Sequence, residues 1–492
     1  MNRIKISILI LCAFLAVSCF EDLDDHGTTT NEINDFVWSG MNLFYLYKDD
    51  VPDLANNRFT NTGDYRNYLD GFSNPEDLFE SLIYNRQTVD RFSWIVDDYI
   101  ALEESFKGIS MTNGMEFQLY RFSSTDSGVF GVITHILPDT NASSQGLTRG
   151  DVFYAVDGTA LNISNYSQLL SQNSYSIELG LYDDNDTDER DDDSITPLGQ
   201  NIALTKFEYS ENPIYIHEVL SVDNRKIGYL MYNGFTGTEA YNNQLNNVFA
   251  DFKAETVNDL VLDLRYNSGG SVNTAILLSS MITGQFKGDI FCTEQWNSEF
   301  QAAFEEDNPE QLINRFVDNN NGAALHSLNL SKVYILTTER SASASELVIN
   351  ALIPYIQVVQ IGTTTAGKYQ ASTTIYDSPD FGRQGANPGH TYAMQPLIYK
   401  SLNVDGVTDY FNGLPPSIEI AENILNLGIL GDVNEPLLAA AISDINGTAK
   451  QASSKSYPME ILKSSNDFKT MQPGMHVDKI LPSHLKNQLN FE

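Results

Sequence analysis

A chain of 492 residues with 42% hydrophobic content can bury about two to four domain cores, which excludes a disordered protein. Acidic residues outnumber basic ones by 65 to 29, for a net charge of −36. That balance repels phosphate backbones and anionic lipid surfaces, and it argues against nucleic acid as a partner.

Arg3 and Lys5 precede an uncharged apolar run, Ile6 to Val17, that ends in Ser18-Cys19, the layout of a secretory signal. The run is too short to span a bilayer as a lasting helix. With a cysteine where cleavage would fall, the segment resembles a bacterial lipoprotein signal, although Ala16 stands where leucine is commonest. The resemblance implies a signal peptide over residues 1–18, lipid on Cys19 and an exported protein. The anchor would lie in the cell envelope, on the periplasmic or the cell-surface face of the outer membrane. Only Cys12, Cys19 and Cys292 exist, so acylation of Cys19 would leave no internal disulfide. Phe20 to Asp25 is acidic and reads either as a surface-export signal or as part of a solvated tether over residues 19–30.

Asn31 to Lys48 places Ile33, Phe36, Val37, Met41, Phe44 and Tyr45 at near-helical spacing, and Pro52 stops it. A small helical region over residues 31–100 is expected, closed by Phe92, Trp94 and Tyr99, with packing as its role. Residues 101–208 then read as short alternating strands with glycine turns: Met115 to Arg121, Gly131 to Ile136, Val152 to Val156 and Tyr175 to Tyr182. Within them, the segments from Val132 to Ala142 and from Gly146 to Gly158 resemble the PDZ domains of bacterial proteases. Gly114, Met115, Glu116 and Phe117 stand where the carboxylate-binding loop of such a domain lies, and an ordinary glycine turn fits them equally. Asp183 to Asp193 is an acidic run in which Asp184, Asp186 and Asp188 alternate as in a calcium loop. No glycine follows where the tight turn needs one, so a solvated hairpin loop is expected and no metal.

Residues 209–445 alternate strand and helix. Ile227 to Tyr232, Leu260 to Arg265, Val333 to Thr338 and Tyr355 to Ile361 read as strands, with helices carrying Leu245, Val248, Phe249 and Phe252 and covering Thr274 to Ile282. This is an α/β domain, whose ligands gather at the carboxyl ends of its strands. Residues 446–492 read as a surface extension.

Ser341-Ala-Ser-Ala-Ser-Glu346 follows one of these strands and opens an apolar helical run. A hydroxyl held at such a turn faces unpaired N–H groups and the positive end of the helix dipole, a place for a nucleophile. Ser343-Ala-Ser-Glu346 also fits a capping box. A serine needs a base. His390 sits in a turn and is one candidate, with a solvated loop histidine as its plain reading. Lys368, in Gly362-Thr-Thr-Thr-Ala-Gly-Lys368, falls at the carboxyl end of the next strand and would act as a base if burial lowered its pKa. The same stretch is close to a phosphate-binding loop, but Tyr369 cannot supply the small hydroxyl for Mg²⁺ and Ala371 to Tyr376 reads as a strand, so no nucleotide is expected.

These residues together resemble the carboxyl-terminal processing peptidases, or tail-specific proteases, which use a Ser/Lys dyad. The middle serine, Ser343, matches the nucleophile, and Lys368 follows it at the family's spacing of twenty-five residues. Leu262 to Gly270 resembles the family's D-L-R-x-N-x-G-G strand and turn, and Gly428 to Leu438 its closing G-D-x-x-x-P-L-L segment. The resemblance implies a multidomain α+β fold: a small helical N-terminal region, a PDZ-like β-rich domain and a crotonase-like α/β catalytic domain. It implies a serine endopeptidase that works through an acyl-enzyme, without cofactor, on protein or peptide substrates held by a free C-terminus. The oxyanion donors would come from Gly269, Gly270 and Ala344. Many members carry a glutamine four residues after the lysine, where this chain has Ser372, with Gln370 two positions earlier. Either Ser372 orients the dyad in its place or the dyad is completed otherwise. The competing reading is a peptide-binding lipoprotein that has lost catalysis.

Overall fold

The computed structural model describes residues 28–122, 126–187, 192–448, 459–469 and 474–477. The expected signal, Cys19 and Asp188 lie outside the described residues. The fold is mixed α+β, and no helix among the described residues is long and apolar enough to cross a membrane.

The N-terminal region packs three helices, α1 (Thr30–Phe44), α2 (Thr62–Leu69) and α3 (Pro75–Ser81). A capping box starts α1: Glu32 N–H donates to Thr29, and the Glu32 carboxylate returns to the Thr29 N–H at 2.6 Å. The helix ends at Phe44, short of the expected Lys48. Tyr45 turns extended, and Leu46 N–H donates to the Leu397 carbonyl at 2.8 Å, so tertiary pairing outcompetes another helical turn. A fourth helix, α4 (Tyr99–Phe106), follows.

The β-rich unit runs through β1 (Met115–Arg121), β2 (Val129–Ile136), β3 (Val152–Val156), β4 (Ser174–Asp183) and β5 (Ser194–Thr205), antiparallel neighbours in that order. Period-2 alternation points Phe117, Leu119, Ile133, Phe153 and Ile177 into one small core.

The third unit is a six-stranded sheet built from β6 (Ile214–Val222), β7 (Arg225–Tyr232), β8 (Asp259–Asp263), β9 (Lys332–Thr337), β10 (Gln357–Gly362) and a short edge strand at Ile418–Glu419. All its pairs are parallel except β6 with β7. Helices cover both faces, as parallel pairing requires. Leu230, Leu262 and Ile335 face α5 (Glu239–Ala254), α6 (Val272–Thr283) and α7 (Ala344–Leu352), in a core shared with the N-terminal region. Tyr229, Val261 and Leu336 face α8 (Pro436–Ile445). A smaller sheet, in which β11 (Gln370–Ser372) pairs with β12 (Leu397–Leu402), stands beside it.

The units are latched by a buried charge cluster. Arg265 pairs with Asp263 at 2.8 Å, Glu435 at 2.6 Å and Glu422 at 3.1 Å. Arg149, from the β-rich unit, reaches the same Glu422 at 2.5 Å and the Tyr266 hydroxyl at 2.6 Å.

The extension expected beyond residue 446 departs from a surface location. Its residues Glu460–Ser464 form β13, antiparallel to β1, and Met475 is fully buried in the main core. Backbone pairing holds it, so its mixed side chains carry no periodic signal.

Candidate active site

Ser343 is the N-cap of α7 and has a φ of 66°, a left-handed conformation that a side chain disfavours. The strand-to-helix turn that forces it is stitched by its neighbours. Ser341 Oγ donates to the Leu264 carbonyl at 2.8 Å and Ser345 Oγ to the Asn267 carbonyl at 3.0 Å. The two outer serines of the run are therefore braces, and the middle one is presented at the helix N-terminus.

Glu346 does more than cap. One carboxylate oxygen accepts from the amides of Ser343 and Lys368, each at 2.8 Å. The other accepts from the Gly367 amide at 2.7 Å and from Thr365 Oγ1 at 2.5 Å. Burial pushes its carboxyl up, against the pull of these four donors. The side chain ties the start of α7 to the loop that carries the lysine.

Lys368 is buried, and burial pushes its ammonium down to about 8, with Asp90 and Glu346 opposing the shift. It has no ion-pair partner among the described residues, and its Nζ lies 5.0 Å from the centre of the Phe92 ring. Arg91 donates to the carbonyls of Ala366, Gly367 and Phe411 at 3.1, 3.2 and 3.1 Å and so clamps the lysine loop. The Asp90 carboxylate holds that turn through the Phe92 and Ser93 amides. The N-terminal region thus does more than pack; the Phe92 ring supplies the low-polarity face over the lysine.

The Gly269-Gly270 turn meets the serine directly. A Cβ on Gly269 would lie 2.5 Å from Ser343 Cβ, and one on Gly270 would lie 2.4 Å from the Phe235 carbonyl oxygen. Their φ angles of 108° and 134° belong to glycine. The Gly269 amide donates to Asn267 Oδ1 at 2.8 Å, so of the three expected oxyanion donors it is already engaged, which leaves Gly270 and Ala344.

Ser372 does not bond Lys368. Its hydroxyl donates to Gln395 Oε1 at 2.8 Å and faces the Met475 carbonyl at 3.2 Å. Gln370 instead bonds the Tyr47 hydroxyl at 2.9 Å. His390 lies in a separate network, 2.9 Å from Asp377. No helix follows Lys368; β11 does.

The Gly114 loop has its amides engaged as well. Gly114 N–H donates to Thr112 Oγ1 at 2.9 Å and Met115 N–H to Asn113 Oδ1 at 3.0 Å. The Glu116 and Phe117 amides belong to a strand, and the buried Glu116 carboxylate pairs with Lys469 at 3.1 Å. Neither Gly114 nor Met115 offers an N–H to a peptide carboxylate in this conformation.

Segment 474–477 was missed by sequence reasoning. Met475 N–H donates to Ser343 Oγ, and a Cβ on Gly474 would lie 1.8 Å from Lys368 Nζ. Glu346 could have been suspected, since a glutamate inside an otherwise small and apolar run is costly to bury without several donors. Phe92 and Gln395 carry no local signal.

A serine held at a helix N-terminus and tied through Glu346 to the loop that carries a lysine of depressed pKa is the equipment of acyl transfer. Comparison with known proteins agrees. Residues 226–382 match the model of peptidase family S41, and residues 32–94 match the S41 N-terminal domain. An S41-assigned protease from Bacteroides fragilis, known from a crystal structure, is 27% identical, covers 84% of this chain and 98% of its own, and superposes with a TM-score of 0.63. The photosystem II D1 C-terminal processing protease is 17% identical over 84% of this chain and 98% of its own, with a TM-score of 0.48. No curated protein matches the chain. The protein is a serine-type peptidase. It belongs to peptidase family S41, the family that the sequence resemblance implies.

Proposed function

We propose that the protein is an endopeptidase of the carboxyl-terminal processing type in which Ser343 is the nucleophile and Lys368 its general base. The observation that carries this reading is the shared carboxylate of Glu346, which fixes both residues from one group at 2.8 Å. Neutral Lys368 takes the Ser343 proton, and Oγ attacks a peptide carbonyl. The tetrahedral oxyanion is met by the Gly270 and Ala344 amides, the amine leaves with the proton from Lys368, and water releases the acyl group. Ser372 bonds Gln395 and not Lys368, so it is given no direct role in the dyad.

The β-rich unit is read as a PDZ-like module on a crotonase-like catalytic unit. Its role is to receive a strand of the substrate along β1, the edge where peptide addition is expected. Because the Gly114 loop's amides are engaged, the strand-pairing part of that recognition has the stronger support, and a free C-terminus the weaker. The acylated Cys19 would hold the enzyme at the bacterial envelope with exported proteins as substrates. Ser343→Ala and Lys368→Ala should each abolish cleavage of a reporter peptide with a free apolar C-terminus. Full activity in either variant would reject the dyad, and a wild-type protein that binds the reporter without cleaving it would favour the peptide-binding reading.

A further inference from the structure

The chain crosses both of these sites a second time. β13 runs antiparallel to β1 with Glu460 opposite Arg121, Ile461 opposite Tyr120, Lys463 opposite Leu119 and Ser464 opposite Gln118. It therefore travels toward the Gly114 loop along the free edge of the β-rich sheet, as an added peptide strand does. Ser465 then donates to Glu116, and Lys469 pairs with Glu116 at 3.1 Å and with Glu211 at 3.6 Å.

Further on, residues 474–477 lie extended between the glycine turn and β11. On one side His476 N–H donates to the Gly270 carbonyl at 3.2 Å, and the His476 carbonyl accepts from Val272 at 3.2 Å. On the other, the Met475 carbonyl accepts from the Ser372 amide at 2.9 Å, and Val477 N–H donates to the Ser372 carbonyl at 3.0 Å. Between those edges Met475 N–H reaches Ser343 Oγ, and Gly474 abuts Lys368 Nζ. A strand that only completed the fold would have no cause to end on the hydroxyl and the amine that do the chemistry.

We infer that this segment is a ligand bound in cis, and that the β1 edge and the cleft between Gly270 and Ser372 are two stretches of a peptide-binding track. The ligand class is an extended peptide that places a residue without a side chain beside Lys368, followed by an apolar residue beside Ser343, as Gly474-Met475 does. The inference rests on the proposed roles of Ser343 and Lys368. Ser343 Oγ accepts from an amide N–H, so its lone pair is directed at nitrogen and away from a carbonyl carbon. The segment is held unproductively and occludes the cleft. A tethered ligand competes at an effective concentration of about millimolar, which an external peptide has to overcome.

The test uses the full-length chain, its Met475→Asp and Gly474→Val variants, and a fluorescein-labelled synthetic peptide with the sequence of residues 459–477. Met475→Asp puts an unpaired carboxylate into the core position, and Gly474→Val puts a side chain where Lys368 Nζ stands, without removing a buried group. Each variant is expected to bind the labelled peptide at least ten-fold more tightly than the wild type and to hydrolyse an unrelated reporter peptide several-fold faster. Equal peptide affinity in all three proteins overturns the inference, whatever the hydrolysis shows. Loss of cooperative melting in both variants also overturns it, because the segment would then be a structural strap. Tighter binding without any hydrolysis upholds the track and rejects the dyad. Equal binding with Ser343-dependent hydrolysis upholds the dyad and rejects the track.

Discussion

Glu346 accepts from the Lys368 amide with the same oxygen that accepts from the Ser343 amide, at 2.8 Å in both cases. The two residues proposed for catalysis are thus positioned by one side chain that touches neither of their reactive atoms. Glu346→Ala would leave the amides of Ser343, Gly367 and Lys368 buried without an acceptor, at about 1–3 kcal/mol each. Glu346→Gln would turn an NH₂ group toward two N–H donors. Both variants should melt earlier and lose kcat by roughly ten-fold or more, with KM nearly unchanged. Retained kcat in a folded Glu346→Ala protein would show that the carboxylate does not position the pair.

The second prediction concerns pH. In the proposed dyad the base form of Lys368 is the neutral amine, and burial brings its pKa down to about 8. Turnover should therefore rise with pH through a limb centred near 8, because deprotonation creates the active form. Phe92→Ala would admit water to the ammonium, weaken the desolvation and move the limb upward toward the ordinary lysine value. Activity at neutral pH would fall while activity well above the limb would be kept. A limb that stays in place would separate Phe92 from the pKa of Lys368.

Gly269→Ala tests the close approach behind the serine. A methyl group there would meet Ser343 Cβ at 2.5 Å with φ at 108°, so the turn has to shift and carry the neighbouring Gly270 amide with it. Loss of one oxyanion donor typically costs about 100-fold or more in kcat, and a loss of that order is expected in a protein that still melts cooperatively.

The fourth prediction is a stability measurement on the charged latch. Glu422 is partly buried, and Arg149 and Arg265 outweigh the desolvation to hold its carboxyl at about 2, against 4.5 for a free side chain. A carboxyl depressed in the folded state stabilises fully above pH 4.5 and loses that contribution as pH falls toward 2. Arg149→Met removes one partner of a largely buried pair and should cost at most about 3 kcal/mol near neutrality, the low end for a buried pair because both side chains keep some solvent contact. Urea midpoints should also fall less steeply between pH 4.5 and 2 in the variant. Identical acid slopes would mean that Arg149 does not hold the carboxylate down.

Much of the catalytic unit is written locally. Val261, Leu262, Val333 and Ile335 belong to continuous apolar runs because parallel strands are covered on both faces. The serine run and Gly367-Lys368 stand out because turns at the carboxyl ends of such strands need small residues. What could not be read is what long-range contact decides. Phe92 over Lys368, Arg91 on the lysine loop and Gln395 on Ser372 are side chains whose roles exist only after folding. The extension was misjudged for a related reason. Its hold on β1 and on Ser372 passes largely through backbone N–H and C=O groups, which every sequence possesses.

The clamp of Arg91 on the carbonyls of Ala366 and Gly367 spans 275 residues or more of chain. Synthesis delivers residues 90–92 early and the lysine loop late. Until the first part of the chain has folded back onto the loop, Lys368 lacks the Phe92 face that helps to desolvate it, and the proposed dyad lacks its neutral base. On the proposed dyad, an incompletely made or badly folded copy would be chemically quiet, and proteolytic competence would arrive only with the finished fold.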